Sequence, residues 1–420
     1  MREDIKERIE VMKLGKVPDG YKRTQFGIIP NEWEVYPIKE LCEVKNKKYN
    51  PKETQENVDC IELENIVQEY GMLKGFCNGA EQESIKNVFD RGDVLYGKLR
   101  PYLKKYYLPF KSGVCSSEIW VLGVKSIVIP EYLYYIVQTE KFNTYAKLSC
   151  CGSKMPRADW DYIKQVTFAI PEKVEQVKIV SFLSMYDKKL NLINSLHHEK
   201  SKYKQWILHR CFMSDEMKCR GWKPVKLSEL MKEKNEKKGN RNLEICSVAV
   251  KKGVISQEQH MGRSYAAEDT SKYSLVSYGD LIYTKSPTGD FPYGIVKQSL
   301  QLQDVAVSPL YGVFKPRSVE VGYIIHSFFQ DRCNSYNYLH SIVQKGAKNT
   351  INISNKTFLS KRIMFPVNNR EVSIVSQMLK GVDEEINLLE KQMEEIKQEK
   401  KALIQLLLTG KGRLKVIEEN

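Results

Sequence analysis

The stretch NEWEVYPIKEL (residues 31–41) returns later in the chain as GWKPVKLSEL (residues 221–230). In both, a Trp is followed five residues on by an aliphatic side chain, seven on by Glu and eight on by Leu. These are Trp33, Ile38, Glu40 and Leu41, then Trp222, Leu227, Glu229 and Leu230. The echo continues outward. RGDVLY (91–96) comes back as YGDLIY (278–283), each a Gly-Asp turn feeding an apolar strand. IPEKVEQVKIVSFL (170–183) comes back as FPVNNREVSIVSQML (365–379), where a strand ends at Pro and a helix begins. A repeat of half the chain is too long for a solenoid, whose units run about 20 to 50 residues. It reads instead as a whole module duplicated in tandem, with pseudo-twofold symmetry inside one polypeptide. Trp33 and Trp222 read as core anchors that open each copy.

The helices carry the clearest periodicity. A four-three pattern runs Val375, Leu379, Val382, Ile386, Leu389, Met393, Ile396, Lys400, Leu403, Leu407, the heptad seam of a coiled coil broken only by Lys400. The first copy has Ile179, Leu183, Tyr186, Leu190, Ile193, His197, Lys200, Lys204, Ile207, Cys211. Here Leu196, Tyr203 and Trp206 suggest a drifting face. Residues 172–212 carry net charge +4 and residues 370–409 net −2. Opposite sign favours pairing with each other over self-pairing, so an intramolecular antiparallel coiled coil is expected, with Lys204 and Lys400 setting its register. The fold class is therefore α+β: two tandem α/β modules, each followed by a long helix. At 1.5 Å per residue such a helix is roughly 60 Å long, against about 34 Å for one turn of duplex DNA. Periodicity alone fits an oligomerisation rod equally well.

The chain has 420 residues, enough for two or more cores, with 42% hydrophobic and 28% charged residues. Its start, MREDIKERIE, is too polar for a signal peptide, and no apolar run is long enough to span a bilayer. A cytoplasmic protein without a membrane partner is expected. Ten cysteines then read as reduced thiols, and no C-x-x-C, H-E-x-x-H or H-x-x-x-H spacing supplies a metal site. Net charge is +14, mostly outside the helices, which raises the odds of a polyanionic partner.

No catalytic site is expected. There is no Pro-Pro pair for an adenine methyltransferase motif, no F-x-G-x-G phrase for S-adenosylmethionine and no P-loop. Pro18-Asp19 with Glu43-Val44-Lys45 imitates a nuclease pattern, but Asp19 sits more naturally in a Pro-Asp-Gly turn.

The opening GYKRTQFGIIPNEWEVYPIKEL resembles the start of specificity subunits of type I restriction-modification systems, through a T-x-x-G-x-I-P-x-x-W phrase formed by Thr24, Gly27, Ile29, Pro30 and Trp33. Pro171, Glu175, Gln176 and Ile179 look like that family's P-x-x-x-E-Q-x-x-I start to its first spacer helix. Leu407, Leu408, Thr409, Gly410 and Lys411 look like its C-terminal tail. The second copy lacks the T-x-x-G-x-I-P lead-in, and has Arg370 and Glu371 where the first has Glu175 and Gln176. The resemblance implies a non-catalytic, DNA-reading subunit with two target recognition domains, each addressing half of a bipartite, asymmetric double-stranded target. Two methyltransferase subunits would dock on the paired helices and restriction subunits would join outside. The chain would hold no cofactor, with S-adenosylmethionine, ATP and Mg on its partners. The expected parts are an N-terminal segment (1–20), first recognition domain (21–170), first helix (171–215), second recognition domain (216–366), and second helix with tail (367–420). A coiled-coil scaffold or repressor that binds DNA without an enzyme is the alternative; a repressor would normally place its twofold axis between chains. A self-contained modification enzyme is a third, which the missing methyltransferase motifs oppose.

Affinity for DNA comes from Lys and Arg on phosphates, and readout from side chains that reach base edges. In the first copy the candidates are Lys98, Arg100, Lys104 and Lys105 in GKLRPYLKKYY, and Lys154 and Arg157 in CGSKMPRADW, where Gly152, Ser153 and Pro156 shape a loop. In the second they are Lys285 and Thr288 in TKSPTGDFPYG, Lys345, Lys348, Asn349 and Asn352 in QKGAKNTINIS, and Arg263 in MGRSYAAED. An ordinary solvated loop explains each stretch about as well. Leu183, Tyr186, Leu190, Ile193, Val382, Ile386, Leu389, Met393, Ile396 and Leu403 are the candidates for coiled-coil pairing and subunit docking.

Overall fold

The computed structural model describes residues 3–54, 57–152, 154–214, 217, 221–257, 269–345 and 351–414. The chain divides into two compact units, one of residues 1–194 with 391–420, the other of residues 195–390. No helix among the described residues is long and apolar enough to cross a membrane.

In the first unit a four-stranded sheet runs in the order Tyr106–Tyr107, Val94–Gly97, Ile119–Val124, Cys42–Val44. A five-stranded sheet contains Gly113–Cys115, parallel to Asp59–Ile61 and antiparallel to Lys86–Phe89. The second unit repeats both ideas. One four-stranded sheet contains Met231–Glu233, Gly312–Pro316, Leu281–Tyr283 and Val296–Gln298; the other places Ile245–Ala249 parallel to Val305–Val307. The Gly-Asp turns are built alike. Gly92 and Gly279 have φ of 93° and 87°, a region that favours glycine. The next residue's carboxylate then caps the turn. Asp93 Oδ2 accepts from the Asp90 amide at 2.8 Å and Asp280 Oδ2 from the Ser277 amide at 2.8 Å. Each carboxylate also takes a lysine, Lys45 at 2.9 Å and Lys234 at 2.7 Å. Lys45, which lent the nuclease pattern its cation, is thus a partner of this structural turn.

The Trp phrase behaves identically in both units. Trp33 precedes the strand Glu34–Pro37, which pairs with Thr167–Ile170; Trp222 opens the strand Trp222–Lys226, which pairs with Arg362–Pro366. The two indoles are 0% and 2% exposed. Burying about 200 Å² of ring surface stabilises by roughly 5 kcal/mol as an upper estimate. The buried indole N–H requires an acceptor. Trp33 Nε1 donates to Glu175 at 2.9 Å and Trp222 Nε1 to Glu371 at 2.7 Å, each glutamate standing in the first turn of the long helix that follows its module. This corrects the sequence alignment by one position. Glu371 matches Glu175, and Val372 stands where Gln176 does, because the turn after Pro366 is one residue longer than that after Pro171. Gln176, 0% exposed, binds the Ile129 amide and the Ile127 and Pro171 carbonyls, a role Val372 cannot repeat.

The long helices are Lys173–Met213 (41 residues) and Asn369–Leu407 (39 residues). Each unit's core takes the start of one and the end of the other. Ile179 and Leu183 join Ile404, Leu407 and Leu408 around Trp33, Tyr96 and Phe142 in the first unit. Val375, Leu379 and Val382 join Ile207, Leu208 and Cys211 around Trp222, Tyr283 and Phe358 in the second. Of the seam candidates, Leu183, Leu190, Ile193, Val382 and Ile396 are buried, and Tyr186, Ile386, Leu389, Met393 and Leu403 half-buried. The seam does not drift: Leu196, Tyr203 and Trp206 are about half exposed, because Ile207, Leu208 and Cys211 keep the buried face.

Both seam lysines are ion-paired. In the first unit Lys400 Nζ donates to Asp187 at 2.5 Å and Gln138 at 2.9 Å, while Tyr135 donates to the same carboxylate at 2.5 Å. In the second, Lys204 donates to Asp383 and Gln330, and Tyr323 donates to Asp383 at 2.8 Å. Burial pulls the Lys400 pKa below its ordinary value, and the Asp187 carboxylate opposes that shift.

Candidate nucleic-acid interface

The two candidate stretches of the first unit, more than forty residues apart in sequence, form one surface. Leu99 and Arg157 make an antiparallel bridge, the Arg100 amide donates to the Pro156 carbonyl at 2.8 Å, and the Ala158 amide donates to the Lys98 carbonyl at 2.9 Å. The Lys98 amide donates in turn to the Glu118 carbonyl at 3.0 Å. Arg100 is exposed with φ of 51°, a left-handed conformation that non-glycine residues rarely hold and that loops near functional surfaces retain. Lys98 is half-buried and Lys154 exposed; Ser153 between the loop's glycine and Lys154 lies outside the described residues.

Arg157 does not stand alone. Its Nε donates to Glu118 at 2.9 and 3.1 Å and its Nη2 to the same carboxylate at 2.8 Å, with Nη1 3.4 Å from the Met155 carbonyl. The guanidinium hydrogen bond, foremost, holds the Glu118 carboxyl below its ordinary range. Glu118 was invisible to sequence reading: an acidic residue before an apolar strand looks like any solvated position.

Lys104 and Lys105 are half-buried and bonded within the first unit. Lys104, with a side chain 13% exposed, pairs with Glu140 at 2.9 Å and Glu69 at 3.5 Å. Lys105 Nζ donates to the Leu63 carbonyl at 2.6 Å, and burial pulls its pKa down. Their backbone also shapes the stretch, since Lys104 has φ of 47°.

In the second unit, Lys285 follows the strand Leu281–Tyr283 with φ of 52°, and burial lowers its pKa against an opposing pull from Glu233. Thr288 closes a tight turn, its amide donating to the Phe291 carbonyl at 3.0 Å and its hydroxyl to Ser286 at 3.3 Å. Lys345 lies in a two-stranded ribbon opposite Ile351, and Asn352, exposed, lies opposite Gln344. Lys348, Asn349 and Arg263 lie outside the described residues.

The residues that resemblance singled out in the first unit meet at one place. Thr24 and Gly27 close the hairpin of Tyr21–Thr24 with Gly27–Pro30. The tail residue Gly410, with φ of 69°, lies against Pro30, where a Cβ would come within 2.4 Å of the ring, and its carbonyl accepts from Tyr21 at 2.8 Å. Arg413 binds Glu175, the acceptor of Trp33, at 3.1 and 3.2 Å.

These features define a class: a tandem-module chain in which each mixed helix-and-strand module seats its opening tryptophan on the helix that follows it. Residues 30–199 match the type I restriction modification DNA specificity domain. The chain is 21% identical over an alignment of 434 positions to the putative type I restriction enzyme MjaX specificity subunit of Methanocaldococcus jannaschii, covering 94% of this chain and 97% of that one. It is 25% identical over 313 residues to the MjaIX specificity subunit of the same organism, covering 63% and 69%. Among solved structures, the type I restriction-modification S subunit from M. genitalium shares the fold at TM-score 0.56 and 12% identity, over 90% of this chain and 96% of that one. A chain from a study of assembly and conformational transition in a type I system does so at TM-score 0.50 and 14% identity, over 91% and 99%. Over nearly its whole length the chain is thus similar to specificity subunits of type I restriction-modification systems, and residues 30–199 match that family's DNA specificity domain.

Proposed function

We propose that the chain is a DNA sequence-recognition subunit in which each unit reads one half of a bipartite, asymmetric duplex target. The long helices, paired antiparallel as one coiled coil, hold the halves at fixed spacing and seat two methyltransferase subunits, with restriction subunits joining outside them. S-adenosylmethionine, ATP and Mg act on those partners, and this chain contributes recognition without catalysis.

The observation that carries this reading is the duplication of the module together with its helix anchor, Trp33 on Glu175 and Trp222 on Glu371. Two like modules whose candidate loops differ suit two different half-sites. The helix pairing is supported inside each unit by Lys400 on Asp187 and by Lys204 on Asp383, with His197 3.2 Å from Glu390. Because the seam is taken up by this packing, docking falls to the outward face, where Tyr203 stacks on Trp206 at 5.8 Å and Arg210 lies 5.0 Å over that indole.

The test is to mix the purified chain with methyltransferase subunits encoded beside its gene, duplex DNA and labelled S-adenosylmethionine, then map the methylated adenines. Methylation confined to one two-part sequence, dependent on this chain, is the expected result. Transfer by this chain alone would overturn the reading. DNA binding without transfer by any neighbouring methyltransferase would favour a scaffold or repressor.

A further inference from the structure

We infer that Glu118 is a positioning residue that presents Arg157 to the edge of a guanine within the half-site read by the first unit. This rests on the DNA-recognition reading above and assigns it a specific contact.

An arginine that serves phosphates gains from being unpaired, since its net charge displaces counterions. Arg157 is different. Glu118 neutralises it through Nε and Nη2, at 2.8 to 3.1 Å, while the arginine side chain stays 46% exposed and Glu118 26% exposed. The engaged edge of the guanidinium is the side edge. Its end, Nη1 with the remaining proton of Nη2, retains two near-parallel donors, and among the described residues only the long 3.4 Å contact to Met155 touches it. Two parallel donors on a rigid planar fork match O6 and N7 of guanine, a pairing that other bases do not reproduce. A side chain held in place by a carboxylate loses less rotamer freedom on binding, which favours discrimination.

The surroundings are built to hold this geometry. Residues 98–100, 118 and 156–158 are cross-linked by the Leu99–Arg157 bridge and by amide bonds from Lys98 to Glu118, Arg100 to Pro156 and Ala158 to Lys98. Arg100 and Lys154, both exposed and with no carboxylate partner among the described residues, stand in the same two stretches and supply charge that phosphates attract. A carboxylate within such a basic surface would repel the DNA backbone, so its placement suits orientation of a reader.

The experiment is selection from a randomised duplex pool by the full-length chain, comparing the unsubstituted protein with Glu118→Gln and Arg157→Gln, each checked for an unchanged melting profile. The unsubstituted chain is expected to enrich guanine at one position of one half-site. Glu118→Gln lowers that preference about tenfold and leaves the rest of the enriched motif intact. Arg157→Gln moves the preference at the same position toward adenine, the base that Gln pairs with. An unchanged motif with affinity lost evenly over all sequences, in either folded variant, would overturn the inference alone. An unsubstituted chain that enriches no sequence would overturn the DNA-recognition reading as well.

Discussion

Lys104 and Arg100 stand four residues apart in one basic stretch, yet their neighbours give them different work. Lys104 is held by Glu140, whose carboxyl is pulled down to about 2 by its bonds to Lys401 and Lys104. Lys104→Ala should therefore lower stability by about 1 kcal/mol, discounted for the exposure of Glu140, and leave the affinity of the folded protein for DNA nearly unchanged. Arg100→Ala should do the reverse: cognate binding falls more than binding to a scrambled duplex, with little change in melting. Equal losses on both duplexes would place Arg100 among phosphate contacts. Lys297 offers a test by pH. It is 8% exposed, and burial, then the nearby Lys204 charge, push its pKa down to about 8. A lysine whose folded pKa lies below the unfolded value of about 10.4 penalises the fold when charged. That penalty is complete below pH 8 and disappears as pH rises toward 10.4, so this residue makes stability increase with pH across that window. Lys297→Met should stabilise the protein near pH 7 by on the order of 3 kcal/mol, and the gain should vanish by pH 10.5 in melting curves.

The long helices test how ion pairs specify structure. Asp187→Ala strips Lys400, 5% exposed, and Tyr135 of their shared acceptor, and should cost about 3–5 kcal/mol. Lys400→Met with Asp187→Leu removes both charges together, and chemical denaturation should show a much smaller loss than either single change. The element pattern was largely legible in the sequence. The heptad seam, the Pro that ends each module and the Trp phrase all repeat local chemistry that periodicity exposes. What stayed hidden were partners distant in sequence: Glu118 for Arg157, Asp93 for Lys45, and the sorting of Lys104 and Lys105 into the fold, since charge pattern along a chain does not tell which cation is already paired. The one-position error at Glu371 has the same root. Spacing from Pro was a poor ruler across a turn that differs by one residue, whereas the indole N–H identifies its acceptor directly.

The first unit is assembled from the two ends of the sequence. Ile404, Leu407 and Leu408 complete its core, Lys400 completes the buried pair with Asp187, and Arg413 and Gly410 complete the surroundings of Trp33. Truncation after Glu390 should thus injure the module that lies earlier in sequence. Hydrogen exchange should show lost protection around residues 33–41 and 167–183, with residues 222–230 and 281–283 protected as before; the opposite pattern would contradict this division of the core. The same arrangement sets an order of events at the ribosome. Translation supplies about 5–20 residues per second, and the module read out first must wait, half-built and with Trp33 short of its neighbours, until residues 391–413 emerge. The second module has all its parts sooner. The half of the protein that is born first is the half that matures last, with the apolar face that residues 404–408 cover left open in the interval.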